Sequence, residues 1–204
     1  MRTALIPVVL MVGVARAAHA AGLSFIDRRA SEDTNGVWAA AKSPDFPVEL
    51  TGLAIAGALW EGGNDRLGKT LWQCLDADAI SGVSAQAMKY AFQRERPSQT
   101  SDPNEWFKGA HAASFPSGDV ATVSSLVTPL MMEYREDHPS IYALAALPVF
   151  DMAARMKAQA HWPTDVLAGG ALGVLSGYVA RKFKEPIILS VLPKGLAVGV
   201  RYRF

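Results

Sequence analysis

The chain has 204 residues, half of them apolar, and a formal net charge of +1. That length fits one domain with a sizeable core, and the near-neutral balance, with no basic run or RNA-type aromatic motif, argues against a nucleic-acid partner. Cys74 is the only cysteine, so an intramolecular disulfide and a C-x-x-C metal site are both excluded.

Residues 1–20 have the pattern of an export signal. Arg2 supplies the positive start, Ala4–Ala15 is an apolar run broken only by Pro7 and Gly13, and Ala18-His19-Ala20 is an A-x-A cleavage site. The pattern predicts an exported, periplasmic chain that begins near Ala21. Residues 21–47 read as an irregular lead-in with one short helix around Gly36–Lys42. A helical domain over 48–185 follows. Its first helix, Glu49–Trp60, is apolar and stops at Gly62-Gly63-Asn64-Asp65. Two more are expected over Arg66–Asp76 and Ala79–Glu95, the second ending before Arg96-Pro97 because a residue preceding proline avoids helical backbone. Residues 97–115 form a polar loop. Helices are then expected over Gly118–Tyr134, Ser140–Lys157 and Thr164–Lys182, the last with Gly169, Gly170, Gly173 and Gly177 positioned for close helix contact. The longest uncharged runs after the signal, Val166–Ala180 and Pro139–Phe150, fall short of the roughly 20 residues that a membrane span needs. Core helices are therefore expected over a multi-span membrane protein, with a chain on a membrane surface or embedded in it left open. At the end, Ile187–Leu192 is apolar, Pro193-Lys194-Gly195 is a turn and Leu196–Phe204 alternates, so residues 186–204 read as a β-hairpin. The fold expected is an all-α helical bundle with a short C-terminal β-hairpin.

Chemistry concentrates in three segments. In Arg155–Asp165, Pro163 is placed to open a helix, with His161 at its entrance and Asp165 in its first turn. From there the carboxylate can accept a hydrogen bond from one ring nitrogen and leave the other free as a nucleophile. Arg155 can fork onto phosphate oxygens. In Lys89–Pro97, Lys89 and Arg96 are seven apart and would share one face of a helix. In Ser114–Asp119, Ser117 can cap a helix that starts at Gly118, whose first-turn N–H groups form an anion site. Taken singly, each has a plain reading as well: a surface loop, a solvated basic face, a helix cap.

In this order the three segments resemble the phosphatidic acid phosphatase type 2 superfamily, which also holds bacterial acid phosphatases and vanadium haloperoxidases. Lys89, Arg96 and Pro97 match its Lys-x6-Arg-Pro motif. Pro116, Ser117 and Gly118 match Pro-Ser-Gly-His, with Asp119 in the histidine position. Arg155, His161 and Asp165 match Ser-Arg-x5-His-x3-Asp, with Ala154 in the serine position. The resemblance implies a helical bundle that holds phosphate without metal or other cofactor. Lys89, Arg96 and Arg155 would neutralise the phosphate oxygens, and Ser117 and the Gly118 N–H would complete the cradle. His161 would attack phosphorus to form a phosphohistidine, oriented by Asp165.

Asp119 is the departure. The family's histidine there protonates the leaving oxygen, whereas an aspartate among three cations is expected to stay ionised near neutrality. It can then serve as the acid at low pH, or the leaving group is itself a phosphate that needs little protonation. His111, eight residues upstream, is a substitute acid. The function expected is an exported, metal-independent phosphatase for a phosphomonoester or diphosphate, on a lipid or isoprenoid. Trp106, Phe107, Phe115 and Trp162 are candidates to line a tail groove, or else core. Two other readings are a non-catalytic phosphate or phospholipid binder that has lost its acid, and a vanadate-dependent oxidase, which the missing histidine disfavours.

Overall fold

A computed structural model describes residues 25–38, 45–183 and 185–188. Its helices are α1 (Asp45–Glu61), α2 (Arg66–Phe92), α3 (Gly118–Tyr134), α4 (Ala146–Lys157) and α5 (Pro163–Arg181), with a 3₁₀ segment over Pro139–Ala145. Helices α2, α3 and α5 pack on one another as the centre of the bundle; α1 lies against α2, and α4 against α3 and α5. The all-α bundle is as expected, with no strand among the described residues. The signal segment, most of the helix expected at 36–42 and residues 189–204 of the hairpin lie outside the described residues. Ile187 and Ile188, placed by the sequence at the hairpin's first edge, have helical backbone.

The glycine-rich turn acts as the sequence indicates. Gly62 has φ +75, a conformation that favours glycine. Asp65 then caps α2, its Oδ1 accepting from the Gly68 N–H at 2.6 Å. The two helices expected across 66–95 are one helix of 27 residues. The carboxylates near the expected break find partners outside α2: Asp76 accepts from the Ile187 and Ile188 N–H groups, and Asp78 from the Thr51 hydroxyl. They therefore need not turn back on their own backbone and interrupt it. The helix ends at Phe92, earlier than expected, because Gln93 takes φ 43 and closes its N–H on the Lys89 carbonyl at 3.0 Å. Arg96 consequently leaves the helix axis, and it does not share a helix face with Lys89. The helix expected over 140–157 divides into the 3₁₀ segment and α4. Pro148, in the first turn of α4, has no N–H to donate backwards, so the preceding turn is free to tighten.

The contact between α3 and α5 sets the site. A Cβ at Gly169 would lie 2.3 Å from the Ser117 carbonyl oxygen, and one at Gly173 2.3 Å from that of Ala121. Only glycine permits backbone to approach backbone so closely. The start of α3 is thereby pressed onto the first turns of α5. Below it, Phe92, Trp106 and Phe115 stack edge to face at centroid distances of 5.3–6.1 Å, and such pairs add about 0.5–1.5 kcal/mol each beyond burial. Trp106, Phe115 and Trp162 are core residues, which leaves Phe107, 63 % exposed, as the one candidate groove aromatic on the surface.

Among the described residues no helix is long and apolar enough to cross a membrane. Helix α1 nevertheless exposes Val48, Leu53, Leu59 and Trp60. Cys74 is buried, which pushes its thiol up to about 12 and leaves it packing rather than reacting.

Candidate active site

Four chain segments meet at one end of the bundle: the end of α2, the turn before α3, the end of α4 and the turn before α5. The last two turns are tied directly, the Ser117 N–H donating to the Asp165 carbonyl at 3.0 Å.

His161 is 3 % exposed. Its Nδ1 lies 2.7 Å from the Ser114 carbonyl oxygen, which can only accept, so Nδ1 carries the hydrogen and Nε2 keeps the lone pair. Burial lowers the imidazole's proton affinity, and the positive fields of Lys89 and Arg96 lower it further, against an opposing pull from Asp165. The ring is therefore neutral near pH 7. The direct bond from the His161 ring to Asp165 that the spacing suggests is too long, at 3.9 Å, to be a hydrogen bond. Ser114 intervenes instead. Its hydroxyl donates to Asp165 Oδ2 at 2.5 Å while its carbonyl holds the ring. Burial pushes Asp165 up, but His161, Arg94 and Ser114 outweigh it and hold the carboxylate below its usual range.

Asp165 is fixed from every side. Besides Ser114, Oδ2 takes the Trp162 N–H at 2.9 Å, which caps α5, and Oδ1 takes Arg94 Nη1 at 2.5 Å. Arg94 is 1 % exposed and lies 4.4 Å from the Trp106 ring centroid and 5.5 Å from that of Trp162. Its other arm holds Asp27 at 2.7 Å, and Asp27 in turn accepts from the N–H and hydroxyl of Thr164. The lead-in is thus laced across the back of the histidine turn, with Arg29 Nε donating to the Gln159 amide oxygen and the Gln159 amide nitrogen donating to the Ala30 carbonyl.

The cationic side is built from Lys89, Arg96 and Arg155. Lys89 donates to the Ala113 carbonyl at 2.9 Å; burial first, then the field of Arg96, lowers its pKa, against the pull of Asp119 and Asp165. Arg155 is 5 % exposed, with Nη1 3.1 Å from Asp119 Oδ2 and Nε 3.1 Å from Asp151 Oδ1. Lys89 and Arg96 both act on His161, and Lys89 lies in the field of Asp119, the partner of Arg155. At the mouth of α3, the Ser117 hydroxyl is buried without a hydrogen-bond partner among the described residues. A buried hydroxyl left unpaired costs about 1–3 kcal/mol, and an oxyanion at the first turn of α3 would satisfy it. The set can hold a tetrahedral anion beside a neutral imidazole.

The sequence model of the PAP2 superfamily matches residues 70–188, more than half of the chain. This chain belongs to the PAP2 superfamily. Among curated relatives, the lipid A 1-phosphatase of Porphyromonas gingivalis is 33% identical over 127 residues, 61% of this chain and 26% of the relative. The chain therefore spans about a quarter of that relative's length. Among solved structures, the crystal structure of Aquifex aeolicus LpxE aligns with a TM-score of 0.44 at 21% identity, covering 69% of this chain and 88% of that one.

Every PAP2 motif position singled out in the sequence comes to this end of the bundle. His111 lies on the surface instead, 3.9 Å from Glu95 across an exposed edge. Four residues of the site were missed. Ser114 sits two residues before the Pro-Ser-Gly turn and was within reach of the motif. Asp151, four before Arg155 in an otherwise apolar turn, carried a readable i,i+4 signal. Arg94 and Asp27 are 67 residues apart, and nothing in either segment announces the other.

Proposed function

We propose that this PAP2 protein is an exported, metal-independent phosphatase that cleaves a phosphomonoester or diphosphate of a lipid or isoprenoid through a phosphohistidine on His161. The observation that carries the reading is the neutral, buried imidazole whose Nδ1 is committed to a carbonyl and which lies in the fields of Lys89 and Arg96. Nε2 attacks phosphorus, the leaving oxygen departs and takes a proton, and water then attacks the phosphohistidine to release phosphate and restore the ring. Lys89, Arg96, Arg155, the Ser117 hydroxyl and the Gly118 N–H stabilise the charge on the three non-bridging oxygens during both displacements. Asp165 holds Ser114, and through it the ring. Asp119 faces the site from the first turn of α3, and it is the group available to the leaving oxygen.

The similarity to a protein named lipid A 1-phosphatase supports a phosphorylated lipid as substrate class. A phosphate leaving from a diphosphate departs more readily than an ordinary alkoxide and demands less protonation, which suits an aspartate in the acid position. The exposed apolar residues of α1 are consistent with work at a lipid surface.

The test is phosphate release by the purified chain from a soluble phosphomonoester, phosphatidic acid, an isoprenyl diphosphate and lipid A, across pH 4–8 with chelator present. Turnover inhibited by vanadate and lost in His161→Ala is expected. Binding of phosphate without turnover of any substrate would instead establish the oxyanion-binding reading, which the pairing of Asp119 with Arg155 favours.

A further inference from the structure

Two carboxylates share the Arg155 guanidinium, and they differ in surroundings. Asp119 is partly open to solvent, with 36% of its side chain exposed. Asp151 has no exposed surface; one oxygen meets Arg155 Nε, and Oδ2 has no hydrogen-bond partner among the described residues. The charged groups acting on Asp151 are Arg155 from its own helix and Asp119 from α3, with Lys89 of α2 beyond them in the field of Asp119. On either side of Asp151 in α4 the contacts are apolar: Met152 meets Gly170 of α5, and Phe150 stacks on Trp38. Two ionised carboxylates on one buried guanidinium leave a net negative charge, and on the Asp151 side water does not screen it. Burial accordingly pushes Asp151 up to about 6.

A phosphate that uses Arg155 adds further negative charge beside this pair. We propose that Asp119, Arg155 and Asp151 make oxyanion binding proton-linked: a phosphate group engages Arg155 together with uptake of one proton by Asp151. The arriving anion raises the proton affinity of the buried carboxyl, and by linkage a proton on that carboxyl raises the affinity for the anion. Asp151 never needs to touch the substrate; it is a positioning residue that acts through Arg155. The protonated form also makes Oδ2–H a donor beside the guanidinium and frees Arg155 from one of its two carboxylate claims. At neutral pH the cradle is therefore restrained by its own carboxylates, and acidification loosens that restraint.

The inference rests on the phosphate-binding reading above, and the test separates the two. Sulfate is the probe, since it keeps one charge state across the range used. Calorimetric titration of the purified chain with sulfate at pH 7, in two buffers of different ionisation enthalpy, counts the protons taken up. Wild type is expected to take up more than half a proton, and sulfate affinity is expected to rise severalfold per unit fall in pH between 8 and 6. Asp151→Asn keeps an oxygen for Arg155 Nε and should still bind sulfate, with the proton count near zero and a flat pH dependence. Binding by wild type without proton uptake overturns this inference alone, as does undiminished uptake in Asp151→Asn, which would place the proton on His161 or Asp119. Failure of wild type to bind sulfate, phosphate or vanadate at any pH sinks the cradle itself and this inference with it. Should Asp151→Asn not fold, the proton count is taken in His161→Gln and Asp119→Asn instead: uptake retained in both supports Asp151, and uptake abolished in either overturns the inference.

Discussion

Asp151→Asn should make the protein more stable at neutral pH, although it removes a charged partner from a buried arginine. The carboxyl has an ordinary value of 3.8 and is pushed up to about 6 by burial, a displacement that Arg155 opposes and does not cancel. The gap corresponds to about 3 kcal/mol. Its sign follows from proton counting. Between pH 4 and 6 the folded chain binds more protons at this site than the unfolded chain, so the site's contribution falls as pH rises and is fully lost above about 6. An asparagine imitates the neutral form and does not titrate. The variant should therefore unfold at higher urea than wild type at pH 8, by about 3 kcal/mol, with roughly half that advantage at pH 5 and almost none near pH 3. Urea titrations of both proteins at these three values are the assay. A variant less stable than wild type at pH 8, or a difference independent of pH, would show that Arg155 holds Asp151 as a conventional ion pair and that the reasoning from burial is mistaken.

Other substitutions test neighbouring parts of the account. Gly169→Ala places a methyl 2.3 Å from the Ser117 carbonyl, a backbone atom, and should cost about 1–3 kcal/mol and lower phosphate release at least tenfold. Gly170→Ala meets the flexible end of Met152 and should be milder in both assays. Arg94→Met strands Asp27 and Asp165 in the interior and should cost about 3–5 kcal/mol in urea unfolding near pH 7. Asp165 is held below its usual range in the wild type, which is stability present at neutral pH and lost on acidification, so the deficit of Arg94→Met should narrow as pH falls below about 4. Asp119→His should raise monoesterase activity near neutral pH while changing diphosphate cleavage less; equal effects on both would mean that this position does not supply the leaving-group proton.

The sequence made the bundle legible because its helices begin and end on local signals. Ser117-Gly118, Pro163 and the glycines before Asp65 fall at helix ends in the structure. It failed where distant partners decide. The expected break near residue 77 is absent because Ile187 and Ile188 reach Asp76 across 111 and 112 residues. The helix end at Phe92 turns on a left-handed Gln93, which no composition rule favours. At the site, the residue types and their order pointed to one pocket, and the structure brings them to one end of the bundle. The wiring behind them was not readable. The spacing of His161 and Asp165 suggested a direct bond, while the chain routes it through Ser114, 47 residues before the histidine. The lead-in read as irregular for lack of periodicity, yet Asp27 is buried on Arg94, and such single long-range anchors leave no pattern in sequence.

Covalent phosphorylation of the proposed nucleophile, His161, can be observed directly. The protein is mixed with a phosphorylated substrate and quenched in alkali, where phosphohistidine survives, and the phosphate is mapped by mass spectrometry. One phosphoryl group is expected on the peptide carrying His161, absent from His161→Ala and chased away by further incubation before the quench. Steady phosphate release with no phosphoryl group on His161, or with one on another residue, would contradict that role for His161.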